Sequence, residues 1–256
     1  MSIHQNMSST LIKVLVLYVV LLAFLLDTVS CFQPHALKPK RNWVHKSCSQ
    51  NDYDINTNVH VSEKDREQIK RQLGYIPDNL VSIAARRGGG IETPLVLKTY
   101  PLNGGASRRK LKAEGDLTPF PTLYWFCCNE VGKAVSELER RGCVRQLEIR
   151  LRDEPDMLER FILSHDSYAK ERWDSLTEFH QEHIMKNERM LKMLRYSGVA
   201  GTDYTEFHTS KGPSIKCLHA HYAHYRGQIE NNCDKVNIVG KWIDDLLKEQ
   251  FPDLIL

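Results

Sequence analysis

The sequence predicts an α+β domain, with a small antiparallel sheet of about three strands in its N-terminal part and a mostly helical C-terminal part packed on it. Three observations lead to that class. Apolar and β-branched runs bounded by turn residues are gathered before Asn129. From Asn129 onward, apolar residues recur at spacings of three and four. The first sixty or so residues have the composition of an address rather than of a core, which leaves Glu63 to Leu256 as one domain.

The elements follow in order. EKDREQIKRQLGYIP, Glu63 to Pro77, reads as a short helix capped by Ser62, with Ile69 and Leu73 on one face and Gly74 as a left-handed stop. LVSIAA, from Leu80, and PLVLKTY, from Pro94, read as strands joined by the turn RRGGGIET. A basic loop follows, and then PTLYWFCC, aromatic and β-prone, is the third strand. NEVGKAVSELERRG is a helix with Asn129 as its N-cap, Gly142 as its stop, and Val131, Val135 and Leu138 as its apolar stripe. VRQLEIRLRD is the next helical piece, and Pro155 fits the first turn of a third, which carries Met157, Phe161, Tyr168 and Trp173. His180 and His183 lie on a charged stretch and are expected on an exposed face. SGVAGT, from Ser197, is a glycine-rich break. Pro213 and Ser214 are expected to start a helix that contains IKCLHAHYAH, and Trp242, Ile243, Leu246 and Leu247 mark a last one.

Ahead of this domain, Leu11 to Leu26 reads LIKVLVLYVVLLAFLL, and its uninterrupted apolar part, from Val14, is thirteen residues. A membrane span needs about 20 residues, whereas a signal peptide needs about 7 to 15. Residues 1–31 are therefore expected to be a signal peptide, with cleavage after Cys31. Residues 32–62 carry Lys38, Lys40, Arg41 and Lys46, with carboxylates only at Asp52 and Asp54, the balance of an organelle transit segment. A signal peptide followed by a basic segment opening on Phe32 resembles the two-part plastid address of algae with secondary plastids of red-algal origin. It implies a plastid protein delivered through the secretory pathway. The alternatives are residence in the endoplasmic reticulum, secretion, or a membrane anchor at residues 11–26. A lipoprotein lipidated at Cys31 fits poorly, because Thr28 stands where leucine is usual.

The chain carries a formal net charge of +3. Five of its cations and only three of its carboxylates precede Glu63, so the domain itself is close to neutral. It has no global electrostatic reason to bind nucleic acid, and no stable membrane span is expected once the signal is removed. Cys31 and Cys48 fall in the presequence, and Cys127, Cys128, Cys143, Cys217 and Cys233 follow. An odd number without regular spacing is not a disulfide framework and fits a reducing compartment.

Four stretches occur in a telling order: PFPTLYWFCC (from Pro119), SGVAG, IKCLHAHYAH and NIVG (from Asn237). With QLGYIP at the start, they resemble a mainly bacterial family known as domain of unknown function 501, over roughly Asp65 to Trp242. The resemblance implies no activity, substrate or cofactor. Two departures stand out. The family often has a cysteine in an RC-x-x-G stretch where this chain has ARRGGGIETP, and its Cys-Pro is Cys128-Asn129 here.

Function is sought in IKCLHAHYAH. On a continuous helix Cys217, His221 and His224 fall within about 60° of one face, while His219 points away unless the helix starts late. Thiolate and imidazole suit zinc, with Cys128 as a further ligand from the strand end. The family pattern instead points to Cys217, His219 and His224. The alternative for the same residues is a hydrogen-bonded polar core. Two further readings stand beside these. One is a binding module for a protein partner or a small anion, using basic loops 86–90 (Arg86, Arg87) and 108–112 (Arg108, Arg109). The other is a hydrolase in which Cys217 attacks with His221 or His224 as base. Adjacent Cys127 and Cys128 are expected on opposite faces of their strand.

Overall fold

Ser62 starts the first helix. Its hydroxyl accepts the Asp65 N–H at 3.2 Å, and helix α1 (Glu63–Leu73) stops at left-handed Gly74. This is a computed structural model, and it describes residues 61–88, 92–104, 117–230 and 236–256. The expected signal and transit segments, Gly89 and Gly90, the loop bearing Arg108 and Arg109, and Cys233 lie outside the described residues.

Strands β1 (Leu80–Arg86), β2 (Pro94–Thr99) and β3 (Tyr124–Phe126) form one antiparallel sheet in the order β1-β2-β3. Ile83 pairs with Leu97, and Leu97 with Trp125. The middle strand is buried on both faces. Leu97 packs with Ile69 of α1 and with Cys127, whereas Leu95 and Val96 join the main core. The third strand is shorter than PTLYWFCC predicts. Cys127 N–H still donates to the Leu95 carbonyl at 3.0 Å, but Cys128 already serves as the N-cap of the next helix. The two cysteines nevertheless part as expected, Cys127 to the α1 side and Cys128 to the main core.

The helical part is α2 (Asn129–Arg140), α3 (Cys143–Asp153), α4 (Pro155–Asp174), α5 (Glu178–Met185), α6 (Glu188–Leu191), α7 (Leu218–Glu230) and α8 (Ile238–Gln250). A π-helical turn, Lys192–Tyr196, follows α6, and a 3-10 turn, Val199–Gly201, lies in SGVAG. Val131, Val135 and Leu138 are fully buried, so the α2 stripe is the core face. Asn129 is not the cap. Its side-chain amide donates instead to the Gln72 carbonyl at 2.8 Å, tying α2 to α1. His180 is buried rather than exposed, because its Nδ1 lies 2.7 Å from the Tyr100 hydroxyl, which draws the ring inward; His183 stays exposed.

The motif helix begins five residues later than Pro213 suggests. Two carboxylates explain the delay. Glu148 of α3 accepts the Ile215 N–H at 2.8 Å, and Glu139 of α2 accepts the Leu218 N–H at 2.7 Å. These bonds hold Pro213 to Cys217 outside helical geometry, and α7 starts at Leu218. From there α7 packs against α8, α2 and the sheet. At the α7–α8 crossing, a Cβ on Gly240 would lie 2.3 Å from the Tyr225 Cβ and 2.5 Å from the His221 carbonyl oxygen, so only glycine permits this approach.

Two polar groups stitch the core. Fully buried Arg172 donates to the carbonyls of Leu194 at 2.8 Å, of Pro121 at 3.1 Å, and of Ser197. It thereby joins α4 to the entry of β3, the π turn and the SGVAG break. Asn237 caps α8 by accepting the Gly240 N–H at 3.0 Å. Its amide group donates one hydrogen to His221 Nδ1 at 3.0 Å and the other to His224 Nδ1 at 3.2 Å. The cap bond fixes which end of the amide is the oxygen, so both imidazoles accept at Nδ1 and carry their proton on Nε2. His165, in ring contact with His221 at 5.3 Å, likewise accepts the Val199 N–H at Nδ1.

Burial holds His221 and His224 neutral, with pKa values lowered to about 3, and drives His165 well below its ordinary range. The unfolded chain titrates these groups near pH 6.5. Above that pH neither state binds the protons, and stability is complete. Below it only the unfolded chain binds them, at about 1.4 kcal/mol per histidine for each pH unit. The urea midpoint should therefore fall steeply between about pH 6.5 and 4.5; a flat midpoint would mean that the three rings are not buried as neutral groups. Asn237→Ala should lose the cap and orphan two ring acceptors, costing about 3–5 kcal/mol in chemical denaturation. Asn237→Ser should recover about 1 kcal/mol of that through the cap alone.

Candidate metal centre

The late start of α7 decides which donors meet. Cys217 stands just ahead of the helix and His219 in its first turn, so both face Glu139 of α2. One ligand atom each from Glu139, Cys217 and His219 lies within 4.8 Å of the other two, and all three residues are partly buried. Glu139 Oε1 sits 3.3 Å from His219 Nδ1 while also accepting the Leu218 N–H, which holds the carboxylate in place. His219 Nε2 lies 3.0 Å from the Gly132 carbonyl oxygen and 3.4 Å from the Ser136 hydroxyl. A carbonyl only accepts, so Nε2 carries a proton and Nδ1 is turned toward the carboxylate.

The electrostatics agree with that placement. His219 has its pKa raised to about 9, first by the hydrogen bond with the Cys217 side chain, with the Gly132 carbonyl and the Glu139 charge adding to it against the opposing effect of burial. The environment thus favours positive charge at this point. The side chains of His219 and Glu139 are 26 % and 32 % exposed, so solvent reaches the cluster.

His221 and His224 lie apart from it. Both are fully buried, and among the described residues their Nε2 atoms have no hydrogen-bond partner. Tyr124 stacks on His224 at 5.6 Å, and Phe161 packs on His221 at 5.2 Å. With Nδ1 accepting from Asn237 and Nε2 protonated, neither ring has a free lone pair for a metal or for a proton from Cys217. The motif is therefore divided: Cys217 and His219 face the cluster, and His221 and His224 belong to the polar core. Cys128 is buried and lines an open pocket with His219, outside the three-donor cluster. Burial pushes the Cys127 thiol far up, and its Sγ donates to the Pro94 carbonyl at 3.3 Å.

The arginines of the first basic loop are committed elsewhere. Arg86 is bidentate on Asp65, at 2.8 and 2.9 Å. Arg87 is bidentate on Glu130 and donates to the Ile255 carbonyl at 2.6 Å, while Gly88 N–H reaches the Leu256 carbonyl. The loop anchors α1, α2 and the C-terminal segment. Glu139 is the functional candidate that sequence reasoning missed. It looks like one more surface glutamate in a helix, and only the packing of α2 against α7 brings it to Cys217 and His219.

Among the described residues, no helix is long and apolar enough to cross a membrane. No curated protein and no solved structure matches the chain. The sequence profile of a family described as "Protein of unknown function (DUF501)" matches residues 87–245, more than half of the chain and all of the region that builds the cluster. The chain belongs to that family.

Proposed function

We propose that this is a metal-binding protein whose centre is Glu139, Cys217 and His219, with zinc as the ion that this mixed donor set suits. One observation carries the reading: His219 donates Nε2–H to a backbone carbonyl and turns Nδ1 toward the Glu139 carboxylate. Metal-bound histidines characteristically give their second ring N–H to a carbonyl or carboxylate, which fixes the tautomer. Three protein ligands with access to solvent are also the pattern of catalytic zinc, which keeps a fourth position open, rather than of closed structural sites. When bound, the ion would supply Lewis acidity at that position. The chain's own part is to hold the three donors: Glu139 through the Leu218 N–H, and His219 through Gly132. Binding must displace the proton that His219 carries, so uptake releases protons and weakens on acidification.

The test is metal content. Residues Glu63–Leu256, purified without tag or chelator and supplied with zinc, should carry about one ion per chain. Cys217→Ser, His219→Gln and Glu139→Gln should each lower affinity by about 10- to 100-fold or more while the fold is kept. His221→Gln should disturb stability and leave metal affinity in the folded fraction unchanged. A folded, zinc-supplemented protein without metal would overturn the proposal.

A second reading rests on the same three residues. In it Cys217 is a thiol nucleophile whose proton goes to His219 Nδ1, the Gly132 carbonyl orients the ring through Nε2–H, and the Glu139 charge stabilises the imidazolium; His221 and His224 are too buried to serve. Rapid alkylation of Cys217 in metal-free protein, abolished in His219→Gln and indifferent to zinc, would favour it over the metal centre.

The proposal places the protein in a plastid, on the strength of the apolar run at Leu11 to Leu26 and the acid-poor segment after Phe32. Residues 1–62 fused to a fluorescent protein should enter the plastid of a diatom, and residues 1–31 alone should stop in the secretory pathway.

A further inference from the structure

An imidazole can bind a metal through either ring nitrogen, and the bond made by the other nitrogen decides which. A half-turn of the His219 ring about its Cβ–Cγ bond would carry Nδ1 away from Glu139 and Nε2 away from the Gly132 carbonyl. The hydrogen bond to that carbonyl opposes the half-turn, and a second contact opposes it from beside the ring. Phe126 meets the imidazole at 76° with the ring centroids 5.9 Å apart, the edge-to-face arrangement that aromatic rings favour.

Phe126 is itself held from three sides. Its backbone pairs with Val96 of β2, so the sheet fixes where the side chain leaves β3. Its ring tilts on that of Tyr222 in α7, at 6.0 Å. On the α2 side stands Gly132, where a Cβ would come to 3.3 Å from the Phe126 ring. Glycine is a poor residue for a helix interior, yet here it serves His219 twice. Its carbonyl takes the Nε2–H, and its bare Cα admits the ring that flanks the imidazole.

We infer that Phe126 is a positioning residue of the metal centre, seated by the sheet and by Gly132 so that its ring blocks the half-turn of His219 and keeps Nδ1 as the nitrogen offered to the metal. The inference rests on the metal-centre reading. Through Phe126 the sheet, which supplies none of the three donors, sets the orientation of one of them.

The experiment uses residues Glu63–Leu256 with nitrogen-15-labelled histidine, titrated with zinc and followed by long-range proton–nitrogen correlation, which tells the two ring nitrogens and their ligands apart. The spectrum of His219→Gln identifies the signals of His219. The unaltered protein should show one form, with zinc on Nδ1 and the proton on Nε2. Phe126→Leu keeps an apolar residue in the strand and removes the ring. It should bind zinc about tenfold more weakly, and a second form of His219, bound through Nε2, should appear. Phe126→Tyr keeps the ring and should restore both the affinity and the single form. Should Phe126→Leu fail to fold, Gly132→Ala decides from the helix side: alanine favours the helix but presses on the Phe126 ring, so zinc affinity should fall a few-fold at an undiminished urea midpoint, and unchanged affinity would overturn the inference. Phe126→Leu with undiminished affinity and a single Nδ1-bound form would overturn it too, and leave the metal centre standing. Weaker binding that leaves His219 wholly Nδ1-bound, or that Phe126→Tyr does not restore, would do the same, since Phe126 would then serve the fold alone. Zinc held through Nε2 in the unaltered protein is equally fatal to it. Absence of zinc from the folded, unaltered protein would bring down the metal centre, and this inference with it.

Discussion

A single side-chain amide organises the centre of this domain. Asn237 spends its oxygen on the first turn of α8 and both its hydrogens on two buried imidazoles of α7. Its own N–H is taken by Gln228 at 2.7 Å, so the connection is made in both directions. The two helices can approach closely only because Gly240 stands at their crossing. Remove the amide and the cap is lost, two acceptors are left without donors in a dry core, and the pair loses its register. The rest of the domain is packed around that pair: the sheet through Tyr124 on His224, and α4 through Phe161 and His165 on His221.

That arrangement divides the labour of one short stretch. A run with one cysteine and three histidines invites a single explanation, but the backbone gives it two. Where α7 is regular, its histidines point inward and are consumed by Asn237. Where the chain is still entering the helix, Cys217 and His219 turn toward α2 and meet Glu139. The same carboxylate that positions the donors also accepts the Leu218 N–H at the helix start, so the entry of α7 and the cluster are one structural feature. Charge follows the division. The inner rings are held neutral by burial, and the outer one is held in its charged form by Cys217, Gly132 and Glu139.

Arg86 and Arg87 are each spent on a carboxylate that ties two elements together. The segment has a structural occupation, and the candidate ligands of this chain come from α2 and the entry of α7. Arg172 plays a comparable part on the far side of the core, where a buried cation satisfied by backbone carbonyls joins three irregular segments that no regular ladder could hold.

By itself the sequence determined the class of fold, the three strands, the helices up to Trp173 and the last one, the α2 core stripe and the family, because alternation, three-and-four spacing and turn residues are local signals. It also located the stretch that matters. It did not determine where α7 begins, because two carboxylates 67 and 79 residues upstream take the donors that would otherwise start the helix at Pro213. It did not reveal Glu139 as a partner, the inward turn of His180, or the fate of His221 and His224, since each depends on a group distant in the chain. Periodicity reads which face of a helix is buried. Which histidine keeps a lone pair for chemistry is decided by what the other ring nitrogen meets, and only the tertiary structure supplies that neighbour.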